Sequence, residues 1–145
     1  MAEETLVKEP LRQEMVDSGR ELAKALKDRQ VQLSACFWLY SAETNNWQLV
    51  VALPQADTDG PKKAYEIIQS IIRPVGIIQN ETKSFDRLLR LYLDDITVLS
   101  PSNPLVRSMS AVQFEPDSLG RQLKRSRIGD VFVDDVYVYN LSLPP

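Results

Sequence analysis

The sequence predicts an α+β fold: a mixed, largely antiparallel five-stranded sheet of two hairpins plus one strand, packed with three to four helices. Three observations carry this. Apolar residues recur at helical spacing in two long stretches, 10–30 and 62–73. Two pairs of β-rich runs, within 33–53 and 121–141, are each joined by a turn-forming segment. A lone β-rich run at 96–99 stands between them, so antiparallel pairs must mix with crossovers.

The first helix follows from Pro10, which suits an opening turn, and from Met15, Gly19, Leu22 and Leu26, which share one stripe to about Gln30. Gly19 costs such a helix about 1 kcal/mol relative to Ala, which is tolerable where the missing side chain lets a neighbour approach closely. Leu33 to Tyr40 and Trp47 to Leu53 then read as strands joined by the polar segment 41–46. Leu33, Ala35, Phe37 and Leu39 point one way, and Cys36, Trp38 and Tyr40 the other. Likewise, Leu49 with Val51 opposes Val50 with Ala52. Strands apolar on both faces sit in mid-sheet. Tyr40 and Trp47, flanking the turn, suit a cross-strand aromatic pair that contributes about 0.5–1 kcal/mol.

Asp57 to Pro61 reads as loop, cap and first turn of a helix over Lys62 to Arg73. Its wide apolar face, Ala64, Ile67, Ile68, Ile71 and Ile72, suits covering the hairpin, and Pro74 is expected to stop it. After the polar stretch 79–84, Phe85, Leu88, Leu89 and Tyr92 resume helical spacing for a short helix. Asp94 and Asp95 lead into the strand 96–99. Asn103 and Pro104 then cap and open a short helix carrying Leu105, Val106 and Met109. A loop at 114–120 precedes the closing hairpin, 121–128 and 131–141, turned by Gly129 and Asp130. Regular alternation puts Val131, Val133, Tyr137 and Tyr139 on one side, with Phe132, Val136 and Val138 on the other.

At 145 residues, 43% hydrophobic and 26% charged, the chain reads as one globular domain over 1–145, with 1–9 as a flexible tail. The formal charge is -3 and the cations are spread through the chain, so bulk charge implies no partner. There is no histidine, and the one cysteine, Cys36, sits in the apolar run 35–39, where a thiol behaves as a small buried hydrophobe. No imidazole base, Ser-His or Cys-His pair, or thiolate zinc cage can be built from this composition. The first residues are acidic where a secretory signal would carry positive charge, and no stretch of about 18 apolar residues occurs. A cytoplasmic location with no membrane partner is expected.

The strings Ala35 to Tyr40, Trp47 to Ala52, and Gly60-Pro61 with Ala64-Tyr65 and Ile68-Gln69 resemble a group of small uncharacterised bacterial proteins. Leu99-Ser100-Pro101, Pro104-Leu105-Val106 and the ending Val131 to Leu141 extend the resemblance over most of the chain. It implies a bacterial origin. No activity is assigned to that group, so no functional residue carries over. Residues 79–92 look like an insertion relative to its usual length.

Without histidine or a reactive thiol, a metal site would need oxygen ligands, hence Mg²⁺, Mn²⁺ or Ca²⁺. The candidates are Asp94 and Asp95 before one strand and Asp134 and Asp135 within another, which converge only if those strands are neighbours. Adjacent residues of a strand face opposite ways, so at most one of each pair can enter a site. Glu81-Thr82-Lys83 matches half of a nuclease motif, but a match of this kind is expected about once by chance. A helix also separates it from Asp57 and Asp59. The glycines are isolated and form no phosphate loop, and Tyr65 reads as a core cap rather than an acid. Arg121, Lys124, Arg125 and Arg127 form the densest basic cluster. They could track a phosphate backbone, with Tyr137 or Tyr139 as stacking faces, or simply keep an edge strand from pairing.

The leading expectation is a non-catalytic cytosolic protein-interaction or regulatory domain that needs no cofactor and binds a protein partner or a second copy as a homodimer. Its motive is apolar strand surface that few helices can cover. The alternatives are a Mg²⁺- or Mn²⁺-dependent phosphoryl-transfer or nuclease enzyme using the Asp pairs, and a nucleic-acid binder using the 121–127 strand.

Overall fold

In the computed structural model, which describes residues 9–77, 91 and 93–142, the apolar run Ala35–Ser41 forms the middle strand of the sheet (β1). It pairs antiparallel with Asn46–Ala52 (β2), Tyr40 facing Trp47, and on its other side with Val131–Tyr139 (β5). Ile96–Leu99 (β3) runs parallel to β2, and Gly120–Ile128 (β4) runs antiparallel to β5. The order is β3-β2-β1-β5-β4, so the mixed, largely antiparallel five-stranded sheet expected from the sequence is present. Around it lie the helices Gln13–Asp28 (α1), Gln55–Thr58 (α2), Pro61–Ile77 (α3) and Pro104–Ser110 (α4).

Strand alternation divides the core into two layers. On one face Cys36, Trp38, Leu49, Val51, Ile96, Val98 and Tyr139 pack with Leu22 and Leu26 of α1 and with Ala64, Ile68 and Ile71 of α3. On the other face Phe37, Val50, Ala52, Val136 and Val138 pack with Val106 and Met109 of α4. The two-sided apolar pattern of β1 and β2 thus has a helix layer over each side. The Tyr40 and Trp47 rings meet as expected, 5.5 Å apart and tilted by 56°.

Helix α1 starts at Gln13, so Pro10 lies outside it rather than in its first turn. Glu9 is the reason. Its N–H donates to Asn45 Oδ1 at 3.1 Å and its carbonyl accepts from Trp47 Nε1 at 2.7 Å, which ties the approach to the β1–β2 end. The helix closes with Gln30 at φ 62, the Gln30 N–H donating to Lys27 O and the Val31 N–H to Leu26 O. Gly19 is the close approach that its residue type implied. A Cβ there would run into the Tyr139 hydroxyl and lie 2.9 Å from Trp38 Nε1.

Two expectations are corrected on the next stretch. Asp57 and Thr58 belong to a helical turn, α2, rather than to a loop. Helix α3 runs through Pro74 to Ile77 instead of stopping before it. A proline removes one backbone bond, and in the last turn little of the ladder remains for it to disrupt. The tail 1–8, the polar stretch 79–84, Glu81-Thr82-Lys83 and, apart from the buried Leu91, the short helix expected at 85–92 lie outside the described residues. Among the described residues, no helix is long and apolar enough to cross a membrane.

Candidate interaction surface on the β4–β5 hairpin

Strand β5 pairs with β1 only from Val136 to Val138, while its ladder with β4 continues to the turn at Gly129 and Asp130. Gly129, at φ 63, supplies the left-handed first position that a type II′ hairpin turn demands. Beyond β1 the hairpin changes face. Leu123 with Val136 packs toward α4, and so do Ser126 with Val133 and Ile128 with Val131, which regular alternation forbids. The switch falls at Arg125, which sits at φ 46 opposite Asp134, and the register is the same on either side of it. Its consequence is packing. Val133 is 3% exposed against the α4 layer, and a Cβ on Gly129 would stand 3.2 Å from Ser108 Oγ of α4.

This corrects the sequence reading of β5. Val131 and Val133 share a face with Val136 and Val138, not with Tyr137 and Tyr139. Phe132 turns outward and is 62% exposed, opposite Arg127. Leu119, at the other end of the hairpin, is 54% exposed. Sequence reasoning missed Phe132, although a signal existed. Strict alternation puts Asp134 on the apolar side with Val136 and Asp135 with Tyr137, and two acids inside apolar rows mark a step where alternation breaks.

The carboxylate pairs occupy separate regions. Asp94 and Asp95 form a 3₁₀ turn before β3, where the Asp94 carbonyl accepts from Gln48 Nε2 at 3.0 Å. Asp95 lines a cavity of about 190 Å³ with Glu14, Ser18, Trp38 and Trp47. Asp134 is half-buried, and Asp135 is 2% exposed and accepts from Gln122 Nε2 at 3.0 Å. Strands β2 and β1 lie between β3 and β5, which sets those strands about 14 Å apart at roughly 4.8 Å per step. The condition for convergence, neighbouring strands, is therefore not met. Among the described residues no group of three or more acidic or thiol ligands gathers into a metal site.

The basic residues are all exposed but face different ways. Arg121 lies on the α4 side, where Nη1 donates to Gln113 O at 3.0 Å. Lys124 and Arg127 lie on the opposite side, in the rows of Asp135 and Phe132, while Arg125 occupies the switch. The tyrosines named as stacking faces are otherwise engaged. Tyr139 is 4% exposed, accepts from Trp38 Nε1 at 3.0 Å and donates to Val16 O at 2.6 Å. Tyr137 meets it edge-on at 5.2 Å and turns its hydroxyl against Gly120. Burial pushes the Tyr139 hydroxyl pKa up, and it pushes the Cys36 thiol up to about 12, so neither supplies an anion near neutral pH.

The two edges of the sheet differ. On β3 the Val98 N–H donates to the Tyr65 hydroxyl at 3.0 Å, so a side chain covers that edge. On β4 none of the nine residues is buried, and among the described residues no strand pairs with its outer side. The Asn140 N–H to Leu119 O bond sets the parity of the ladder, so Gly120, Gln122 and Lys124 turn their backbone groups outward. Hydroxyls already donate to two of those carbonyls, Ser118 to Gly120 at 2.7 Å and Ser126 to Lys124 at 2.9 Å. What remains is rich in donors. No family model, no curated protein and no solved structure matches this chain, so a functional reading stands on this geometry.

Proposed function

We propose that this chain is a non-catalytic protein-interaction domain whose docking surface is the outer edge of the β4–β5 hairpin, taken by a segment of another protein. The carrying observation is β4, an edge strand with no buried residue whose outward N–H groups have no strand beside them among the described residues. Edge strands normally need covering, as Tyr65 covers β3, because open backbone groups are templates for strand addition. Phe132, exposed beside this edge, supplies the aromatic anchor that interfaces favour. The non-catalytic part is supported by the absence of histidine and by the burial of Cys36. A single buried thiol also suits a reducing cytosol.

Photo-cross-linking tests the reading. A benzoylphenylalanine in place of Phe132 should yield a discrete adduct in cells, and the same group in place of the exposed Glu43 should not. Gln122→Pro removes one outward N–H and should abolish the adduct. Gln122→Ala, which loses only the side-chain bond to Asp135, should keep it. Equal adducts from both positions, or indifference to the proline, sink the proposal.

A further inference from the structure

We infer that the segment β4 receives is acidic and extended, because the strand sets four cations and a row of outward N–H groups along one open edge. This rests on the docking reading above and narrows the partner to one chemistry. Arg121, Lys124, Arg125 and Arg127 are exposed, and β4 contains no acid. They project to both sides of the sheet, so a strand laid alongside meets a cation above and below its plane. Residues facing 121, 124 and 127 recur at every third position of such a strand, which is where carboxylates fit. The backbone agrees with the side chains. Outward N–H groups of Gly120, Gln122 and Lys124 stand against the Gln122 carbonyl, the other two carbonyls already receiving serine hydroxyls.

A second copy of this chain fits the edge poorly. In an antiparallel pair of two β4 strands related by a two-fold axis, centring on Lys124 opposes Lys124 to itself and Arg121 to Arg127. Centring on 123 sets Arg121 against Arg125, on 125 sets Arg125 against itself, and on 126 sets Arg125 against Arg127, while centring on 122 opposes no two cations but gives none of them a carboxylate, Lys124 facing Gly120 and Arg121 facing Leu123. Directly opposed like charges destabilise a pair. A nucleic acid fits less well too. The cations split between two faces rather than lining one track, and a nucleic acid brings no row of carbonyls to the outward N–H groups.

The test uses the full chain and three labelled probes in anisotropy titrations. The first is a nine-residue peptide of alternating Val and Thr with Glu at every third position; the second has Gln in place of Glu; the third is a single-stranded DNA oligomer. The acidic peptide should bind about tenfold or more tightly than its neutral twin, with an affinity that falls as salt rises. Lys124→Glu and Arg121→Glu should erase that difference, and amide exchange read by NMR should slow at Gly120, Gln122 and Lys124 on binding. Equal binding of the twin overturns the acidic partner while leaving the docking edge intact. Tighter binding of the oligomer, lost on the same charge reversals, overturns it in favour of nucleic acid. If neither peptide binds yet the Phe132 adduct persists, the acidic segment is wrong and the docking surface stands. Loss of both disposes of both.

Discussion

Strands β1 and β4 belong to one sheet and are built to opposite ends. β1 spends its seven residues on contact: both edges are paired, five of its side chains are buried, and a helix layer lies over each face. β4 has nine residues and none is buried; it carries four of the chain's cations and pairs on one edge. The difference is one of position, since a central strand gains by burying apolar area on both faces, whereas an edge strand that did so would aggregate. Stability should therefore concentrate in β1 and its neighbours, and binding in β4.

The sharpest way to break this contrast is to truncate each strand at one site. Phe37→Ala empties a fully buried position between β2, β5 and α4 and should lower stability by about 3–5 kcal/mol, read by denaturant titration. Leu123→Ala on β4 removes a half-buried side chain and should cost about 1 kcal/mol or less. Comparable losses at the two sites would show that β4 is covered in solution and refute its assignment as an open edge.

Next in size is the pin between α1 and β5. Gly19→Ala gains helix propensity, yet its methyl group meets the Tyr139 hydroxyl, so a net loss of about 1–3 kcal/mol is expected. Tyr139→Phe removes that hydroxyl and its bonds to Trp38 and Val16 and should cost about 1–2 kcal/mol alone. Combined, the two should destabilise by less than their sum, because the clash and the hydroxyl disappear together. Strict additivity in the double-mutant cycle would mean that the helix and the tyrosine do not touch.

These sites also show what was legible in the sequence. The faces of β1 and β2, the Tyr40 and Trp47 pair and the Asn103 cap could all be read from residue type and spacing, because each depends on neighbours close along the chain. Gly19 signalled a close approach by its residue type, but not that Tyr139, far along the chain, makes it. Strand order could not. Whether Asp94 and Asp135 approach each other depends on which strands lie between, and local periodicity holds no record of β1 and β2 intervening. The outward turn of Phe132 was hidden for a different reason. It follows from a single left-handed residue, Arg125, and arginine gives no hint of φ 46 as a glycine would. The candidate surface was thus half visible, its cations by composition and its aromatic residue only in three dimensions.

A smaller effect should appear in alkali. Burial raises both the Cys36 thiol, to about 12 from an ordinary 9.0, and the Tyr139 hydroxyl. Above about pH 9 the unfolded chain releases these protons while the folded chain retains them, so stability falls as pH rises toward 12 and is fully present below 9. Melting temperatures should be level in this respect at neutral pH and drop through that window, with a smaller drop in Cys36→Ala. A thiol reagent should likewise label Cys36 only as the protein unfolds. Fast labelling of the folded chain at neutral pH would show that the β1 face is open.

The smallest expected effect lies inside one strand. Phe132 and Val133 are sequence neighbours, and the face switch sends the first outward and the second under α4. Phe132→Ser should change stability by no more than about 0.5 kcal/mol, because most of that ring is already in water. Val133→Ser places a hydroxyl in an apolar layer and should cost about 2–3 kcal/mol. Were the two equal, the decisive question would be concentration. A loss at Phe132 that grows as the protein is concentrated means that a second copy covers the ring, because self-association adds stability by mass action. A loss that ignores concentration means instead that the hairpin folds back on its own chain, and then neither strand would be free to receive a partner.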